Sequence, residues 1–378
     1  MELTLNRLPV QTWNHLGMNE SKALLEKPRF IQPQATLQDG GLSWEIREDE
    51  PEGWKRIDTG MGHEIGEMLE EGPVGMLTSP EDSSGCALLE YAYGKEIPSA
   101  GRLYIHAEKG SRLSVICLLR TSEAKEKSDP SGAFGQSAES GSGAETEEKT
   151  AVLETKIFAE EGAEVKLYMV QLLDQGFRCF NDLGIHCRQG AGTELLKLEL
   201  GAECLYTGVL ADLAGKSSSF QAQLGYHVAG GQHMDMNYVV RHQGKKSRSA
   251  MDACGILEEG AFKLFRGTID FVRGCAGAKG TEREEALLLG NKVTNQTIPL
   301  ILCGEEDVEG DHGATIGRLD EKVLFYLGSR GIDQKTAGQM ISRARIDALS
   351  ERIPSPEVQE KITAFREEKE EWKREKKL

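Results

Sequence analysis

The sequence predicts a mainly β chain, and three observations carry that prediction. Glycines recur at spaced intervals, short segments of period-two alternation follow them, and apolar stripes of helical period gather only towards the two ends. Glu108-Lys109-Gly110-Ser111, Glu161-Gly162-Ala163, Gln189-Gly190-Ala191, Ala214-Gly215-Lys216 and Glu259-Gly260-Ala261 each precede such a segment. Glycine there permits a tight corner that a Cβ would strain. Intervals of roughly 22–28 residues, or near double that, point to stacked coils. A right-handed parallel β-helix is the natural solution, because each coil buries its inner face only against its neighbours. An ordinary β-sandwich with glycine turns fits the same spacing.

Taken in order, residues 12–27 and 61–71 have helical character, which marks 1–80 as an N-terminal helical region. The β core is expected over 81–318. Within it Leu113, Val115, Cys117 and Leu119 form one alternating face, and Val165, Leu167 and Met169 another. Leu196, Leu198 and Leu200 form a third, with Lys197 and Glu199 alternating between them. Residues 122–150 break the pattern: they are rich in Ser, Gly, Glu and Ala and cannot offset the entropy of ordering. A flexible excursion between two strands is expected there.

Residues 319–378 form a C-terminal helical region. Asp320 is placed to cap a short helix carrying Val323, Leu324 and Leu327, stopped near Gly328 and Gly331. Asp333 opens a second, with Ala337, Met340, Ile341, Ala344 and Ala348 at helical spacing. Ser355-Pro356 starts a third, striped by Val358, Ile362 and Phe365.

Composition excludes several function classes. With 61 acidic against 45 basic residues the net charge is -16, which disfavours nucleic-acid backbones and anionic membranes as partners. The eight cysteines are scattered with no CxxC pair, so neither a zinc ribbon nor a ferredoxin-like cluster is encoded. The first twenty residues lack an export-signal core, and no apolar run approaches a membrane span. A reducing cytoplasm is the expected compartment. His63-Glu64-Ile65-Gly66-Glu67 has Glu67 where a zinc-protease motif needs its second histidine, which leaves a solvated turn of helix. Phosphate-binding loop and nucleophile elbow are both absent, so the chain is not expected to be an enzyme.

The stretch Cys303 to His312 is different in kind. It gathers a thiol, an imidazole and five carboxylates, including Glu306 and Asp307, within ten residues. Iron accepts all three ligand types, and a site that releases its cluster needs few or mixed ligands. An acidic loop with one buried thiol accounts for the same residues. Tyr238 to His242 followed by Ser247-Arg248-Ser249 reads as a surface turn with hydrogen-bonded serines. Cys254, in a strand-like segment, reads as a core cysteine.

Asp307, Val308, His312, Gly313, Ala314, Thr315, Gly317, Leu319 and Asp320, followed by Phe325, Tyr326, Leu327, Ser329, Arg330 and Gly331, closely resemble the C-terminal signature of the SufB/SufD family. Those proteins are scaffold subunits of the Suf iron–sulfur assembly machinery. Leu5 to Glu20 is similar to the start of SufD-type chains, so a SufD-like member is implied. The resemblance implies the β-helix, a SufB-type partner bound through it, and a SufC-type ATPase docked by the C-terminal helices. Homodimerisation without the partner is a further expectation. The docking candidates are Phe325, Tyr326, Ser329, Arg330 and Gly331. The resemblance also implies that ATP is used only through that ATPase, and that an iron–sulfur cluster is held transiently rather than as a permanent cofactor. His312 stands at the position of a histidine implicated in cluster formation and is the metal-ligand candidate. Cys303, Asp307 and Glu306 accompany it, while Gly310 occupies a slot where family members often carry cysteine. A partner subunit without cluster contact, or more remotely a carbohydrate-acting β-helix enzyme, are the alternatives.

Overall fold

The computed structural model describes residues 1–12, 16–122 and 149–375. The chain is mainly β, 52% strand, and winds into a parallel β-solenoid of about 7 turns. Each turn gives one strand to each of two sheets. The first runs from Ser43–Arg47 through Val74–Ser79, Ser99–Ala107, Lys149–Ala159, Phe177–Cys187, Cys204–Leu213, His233–His242 and Phe262–Phe271 to Thr294–Cys303. The second runs from Gln34–Gln38 through Ser84–Tyr93, Arg112–Thr121, Glu164–Leu172, Gly192–Glu199, Ser219–Val228, Arg248–Leu257 and Ala278–Leu288 to Val308–Gly317. Most of the segment expected to be an excursion, 123–148, lies outside the described residues.

The repeat begins within the range of the glycine intervals and runs a few residues past it. Register partners are 26 residues apart at Arg178↔Cys204 and 32 apart at Phe262↔Thr294. Corners set the period. Gly110, Gly162, Gly190 and Gly260 have φ between 67° and 79°, the left-handed region where a Cβ is strained. The amide of Gly110 donates to Glu161 O, that of Gly162 to Gln189 O and that of Gly190 to Lys216 O, so successive corners bond to one another.

Side chains from both sheets fill one continuous core. Leu113, Val115, Cys117 and Leu119 point into it, as do Val165, Leu167 and Met169. The third expected face is inverted. Leu167 pairs with Leu195 and Met169 with Lys197, so Lys197 and Glu199 face the interior, where the two side chains pair at 3.2 Å. Leu196, Leu198 and Leu200 lie on the outer face of the second sheet, covered by Ile346, Ile353, Val358 and Ile362. Alternation alone does not say which face is inner; here the C-terminal helices make the outer one dry.

Three helices form that cover and its approach: α2 (Glu321–Ser329), α3 (Gln334–Ser350) and α4 (Pro356–Glu375), after an N-terminal α1 (His63–Leu69). Asp320 accepts from the Lys322 amide and Asp333 from the Thr336 amide, as their cap positions predict. α2 ends in a Schellman motif: Ile332 N donates to Leu327 O and Gly331 N to Gly328 O, with Gly331 at φ 82°. The buried stripe of α3 is rotated from the expected one. Ala337, Ser342 and Ile346 face the sheet, while Met340, Ala344 and Ala348 are exposed. On α4, Val358 and Ile362 are buried and Phe365 half-buried, as expected.

In the N-terminal region strand exceeds helix among the described residues, which corrects the helical expectation. In place of a helix over 12–27, Ser21–Leu24 pairs antiparallel with Glu2–Leu5, and residues 13–15 lie outside the described set. The helix expected at 61–71 is α1. Leu3, Leu5, Ala23, Leu25, Ile65 and Leu69 pack on Ala100, Val152 and Phe180, so this region covers the outer face of the first sheet. The strands Gln34–Gln38 and Ser43–Arg47 join the first turn antiparallel and close that end, with Trp44, Leu37 and Leu42 against the core.

Candidate functional site at the open end of the solenoid

The opposite end has no such closure among the described residues. Thr294–Cys303 and Val308–Gly317 are the terminal strands of their sheets, each with one unpaired edge. Eight of the ten residues of Val308–Gly317 are exposed, and the other two half-buried. The stretch read as an acidic loop is therefore half corner and half edge strand.

Register fixes where each candidate lies. Glu282 pairs with His312, Gly280 with Gly310 and Ala286 with Ile316. Ala278 and Ala286 belong to the interior core and pair with Val308 and Ile316, so His312, four residues from each and in phase with both, projects from the inner face of the last turn. Gly310 shares that face: a Cβ there would meet Phe271 and Ile301 at 3.0 and 3.2 Å. Asp311 and Glu309 point outward, and Glu309 pairs with Lys279 at 2.6 Å. Cys303, exposed, ends the opposite strand in register with Phe271. Glu306 and Asp307 are exposed in the corner between the two strands, where Asp307 O accepts from Gly277 N at 2.6 Å. An extended strand rises about 3.3 Å per residue, so Asp307 and His312 stand roughly 16 Å apart along it. Among the described residues no three His, Cys, Asp or Glu side chains gather into a metal-holding group. The terminal turn thus presents His312 by itself, with the other candidates at its rim.

One turn inward from His312, the solenoid interior holds a buried polar cluster that the sequence did not reveal. Lys263 contacts Glu284, and donates to Thr297 Oγ1 at 3.0 Å. Tyr226 donates to Glu284 Oε1 at 2.8 Å and Thr297 to Oε2 at 2.6 Å. Burial pulls the Lys263 ammonium down, against the attraction of Glu284. Glu282, 3% exposed, is pushed up to about 7 by burial and then by the neighbouring Glu284 charge. Residues 278–288, AKGTEREEALL, carry charge on both faces, so no alternation distinguishes these inner carboxylates from the outer Arg283 and Glu285.

Other expectations resolve differently. Tyr238–His242 is not a surface turn: His242 is buried, bonded through Nδ1 to Ser247 Oγ at 2.8 Å and through Nε2 to Ser249 Oγ at 2.9 Å. Burial lowers its imidazole to about 4. Cys254 is half-buried on the outer face, 3.6 Å from the Arg345 guanidinium, rather than in the core. His63 is exposed on α1, as a solvated turn should be. On α2, Phe325 is 80% and Tyr326 56% exposed, and the Arg330 guanidinium lies 5.2 Å from the Tyr326 ring. Ser329 donates to Tyr326 O at 2.7 Å, which with the Gly331 turn gives this part of the signature a local structural role. Among the described residues no helix is long and apolar enough to cross a membrane.

Comparison with known proteins identifies a family. The family described as SUF system FeS cluster assembly, SufBD core domain, matches residues 91–345. The iron–sulfur cluster assembly protein SufB of Bacillus subtilis is 27% identical over 169 residues, 44% of this chain and 36% of that protein. SufD of the same organism is 27% identical over 128 residues, 34% of this chain and 29% of that protein. An iron–sulfur cluster assembly SufBD family protein of Staphylococcus saprophyticus is 29% identical over 124 residues, 33% of this chain and 27% of its own length. The aligned part is thus between 27% and 36% of each relative, and SufB and SufD both match.

Proposed function

We propose that this chain, which belongs to the SufB/SufD family of iron–sulfur cluster assembly proteins, acts as a SufD-like scaffold subunit. It pairs with a SufB-type subunit through the open end of the solenoid and binds a SufC-type ATPase through α2. A nascent cluster is built next to His312 and released; it is cargo, and the chain itself catalyses nothing. ATP is hydrolysed by the ATPase, whose motion reaches the site through the junction of solenoid and helices. The cytoplasm suits this role, and no disulfide joins any of the eight cysteines in the structure.

One observation carries the reading: an exposed imidazole stands on the inner face of a terminal turn whose two sheet edges are unpaired. An exposed edge of this length offers unpaired N–H and C=O groups as a template for another chain. A second β-helix docked there would bring its own donors within reach of His312, which a lone histidine requires, since iron and its clusters take several ligands.

The test is His312→Ala in the assembled complex. Iron and sulfide content after anaerobic reconstitution should fall, while subunit assembly and ATP hydrolysis persist. Cys303→Ser should have a weaker effect, because Cys303 lies at the rim. Wild-type iron and sulfide loading in the His312 variant, with normal transfer to an apo-acceptor, would instead favour a structural subunit without cluster contact.

A further inference from the structure

We propose that Glu282 is a second ligand for iron at this end of the solenoid, so that Glu282 and His312 form a carboxylate–imidazole half-site for a ferrous ion. This rests on the role given to His312 above. The two residues are Cα partners on adjacent parallel strands, and both project from the inner face. In-register strands lie about 4.8 Å apart, so one ion with metal–ligand bonds of about 2 Å can be reached from both.

Three further features single out Glu282. Its Oε2 is buried and has no hydrogen-bond partner, whereas the adjacent Glu284 is bonded by Lys263, Tyr226 and Thr297. A carboxylate serving only the fold would be expected to have a donor, as Glu284 does. Space is kept for it by the backbone: a Cβ on Gly267 would come 2.0 Å from Glu282 Oε1. The nearby Lys263 ammonium is bonded to Glu284 rather than to Glu282.

First-row divalent ions accept carboxylate and imidazole together, but two donors do not complete a coordination shell. The remaining ligands come from across the open end, from the partner subunit or from water.

Ferrous iron alone is the probe, titrated anaerobically against the full-length chain, by itself and with its SufB-type partner. Glu282→Gln keeps the side chain's size and removes its charge. It should weaken ferrous binding on the order of tenfold or more, as His312→Ala does, with assembly and melting temperature unchanged. Wild-type iron affinity in Glu282→Gln alongside a loss in His312→Ala would overturn the half-site and leave the role of His312 standing. Unchanged affinity in both would overturn the two together. A loss in Glu282→Gln alone would also overturn the pairing. If the Gln variant does not fold, Glu282→Asp, which retains the charge but withdraws it by one methylene, carries the same outcomes.

Discussion

Arg102 shows how much charge this fold buries. Its guanidinium is fully covered and bonds Glu154 at 2.8 Å and Glu50 at 2.9 Å, while Lys156 reaches Glu50 at 2.8 Å. Tyr104 donates to Glu50 Oε1 at 2.7 Å and stacks on Trp54, so the loop around Glu50 is tied to the outer face of the first sheet. Removing one partner of a buried pair leaves an uncompensated charge. Arg102→Met should therefore cost about 3–5 kcal/mol, read from urea denaturation. Asp182 makes a pH-dependent contribution. Burial raises its carboxyl to about 7, against the Thr59 hydroxyl and the Met61 amide, which donates to Oδ1 at 2.8 Å. The folded chain then keeps this proton to a higher pH than the unfolded chain does. Between about pH 4 and 7 the folded state binds more protons, so stability falls as pH rises, by at most about 1.4 kcal/mol per unit. Asp182→Asn should remove that slope, seen as urea midpoints of variant and wild type that diverge across this window.

At the scale of elements, α2 differs from the helices that follow it. α3 and α4 bury Ile346, Val358 and Ile362 against the second sheet, whereas α2 has no buried residue. Removing everything from Asp320 onward would strip the cover from Leu196, Leu198 and Leu200 and confuse docking with unfolding. Phe325→Asp is the cleaner test: co-purification with a SufC-type ATPase should be lost while the circular dichroism spectrum is retained. A variant that still co-purifies would place docking elsewhere. Ile362→Ala should cost about 2–5 kcal/mol and raise hydrogen exchange along α4, with no effect on α2.

For the whole molecule the decisive asymmetry lies between the ends of the solenoid. One is closed by antiparallel strands and Trp44; the other leaves two parallel edges and Ile316, 47% exposed. A lysine on such an edge opposes pairing with another strand. Ile316→Lys should prevent association with the SufB-type partner, measured by light scattering after gel filtration, with melting temperature unchanged. Persistence of the complex would move the interface away from this end.

What the sequence by itself determined was local. Corner glycines with left-handed φ, the caps at Asp320 and Asp333, the stop at Gly331 and the β class all follow from backbone geometry within a few residues, and each is legible as a short pattern. His312 was singled out as a candidate the same way, through a signature that includes those local features. Facing and adjacency were decided only by the tertiary structure. Lys197 and Glu199 look like an outer face until register with Val165–Met169 turns them inward and α3 and α4 dry the other side. The apparent helix over 12–27 yields to a strand at Ser21–Leu24, where pairing with Glu2–Leu5 overrides helical spacing. Glu306 and Asp307, close to His312 in sequence, are carried away along an extended strand. Glu282, thirty residues earlier, is brought beside it, because stacking in a solenoid sets neighbours by the length of a turn and not by distance along the chain.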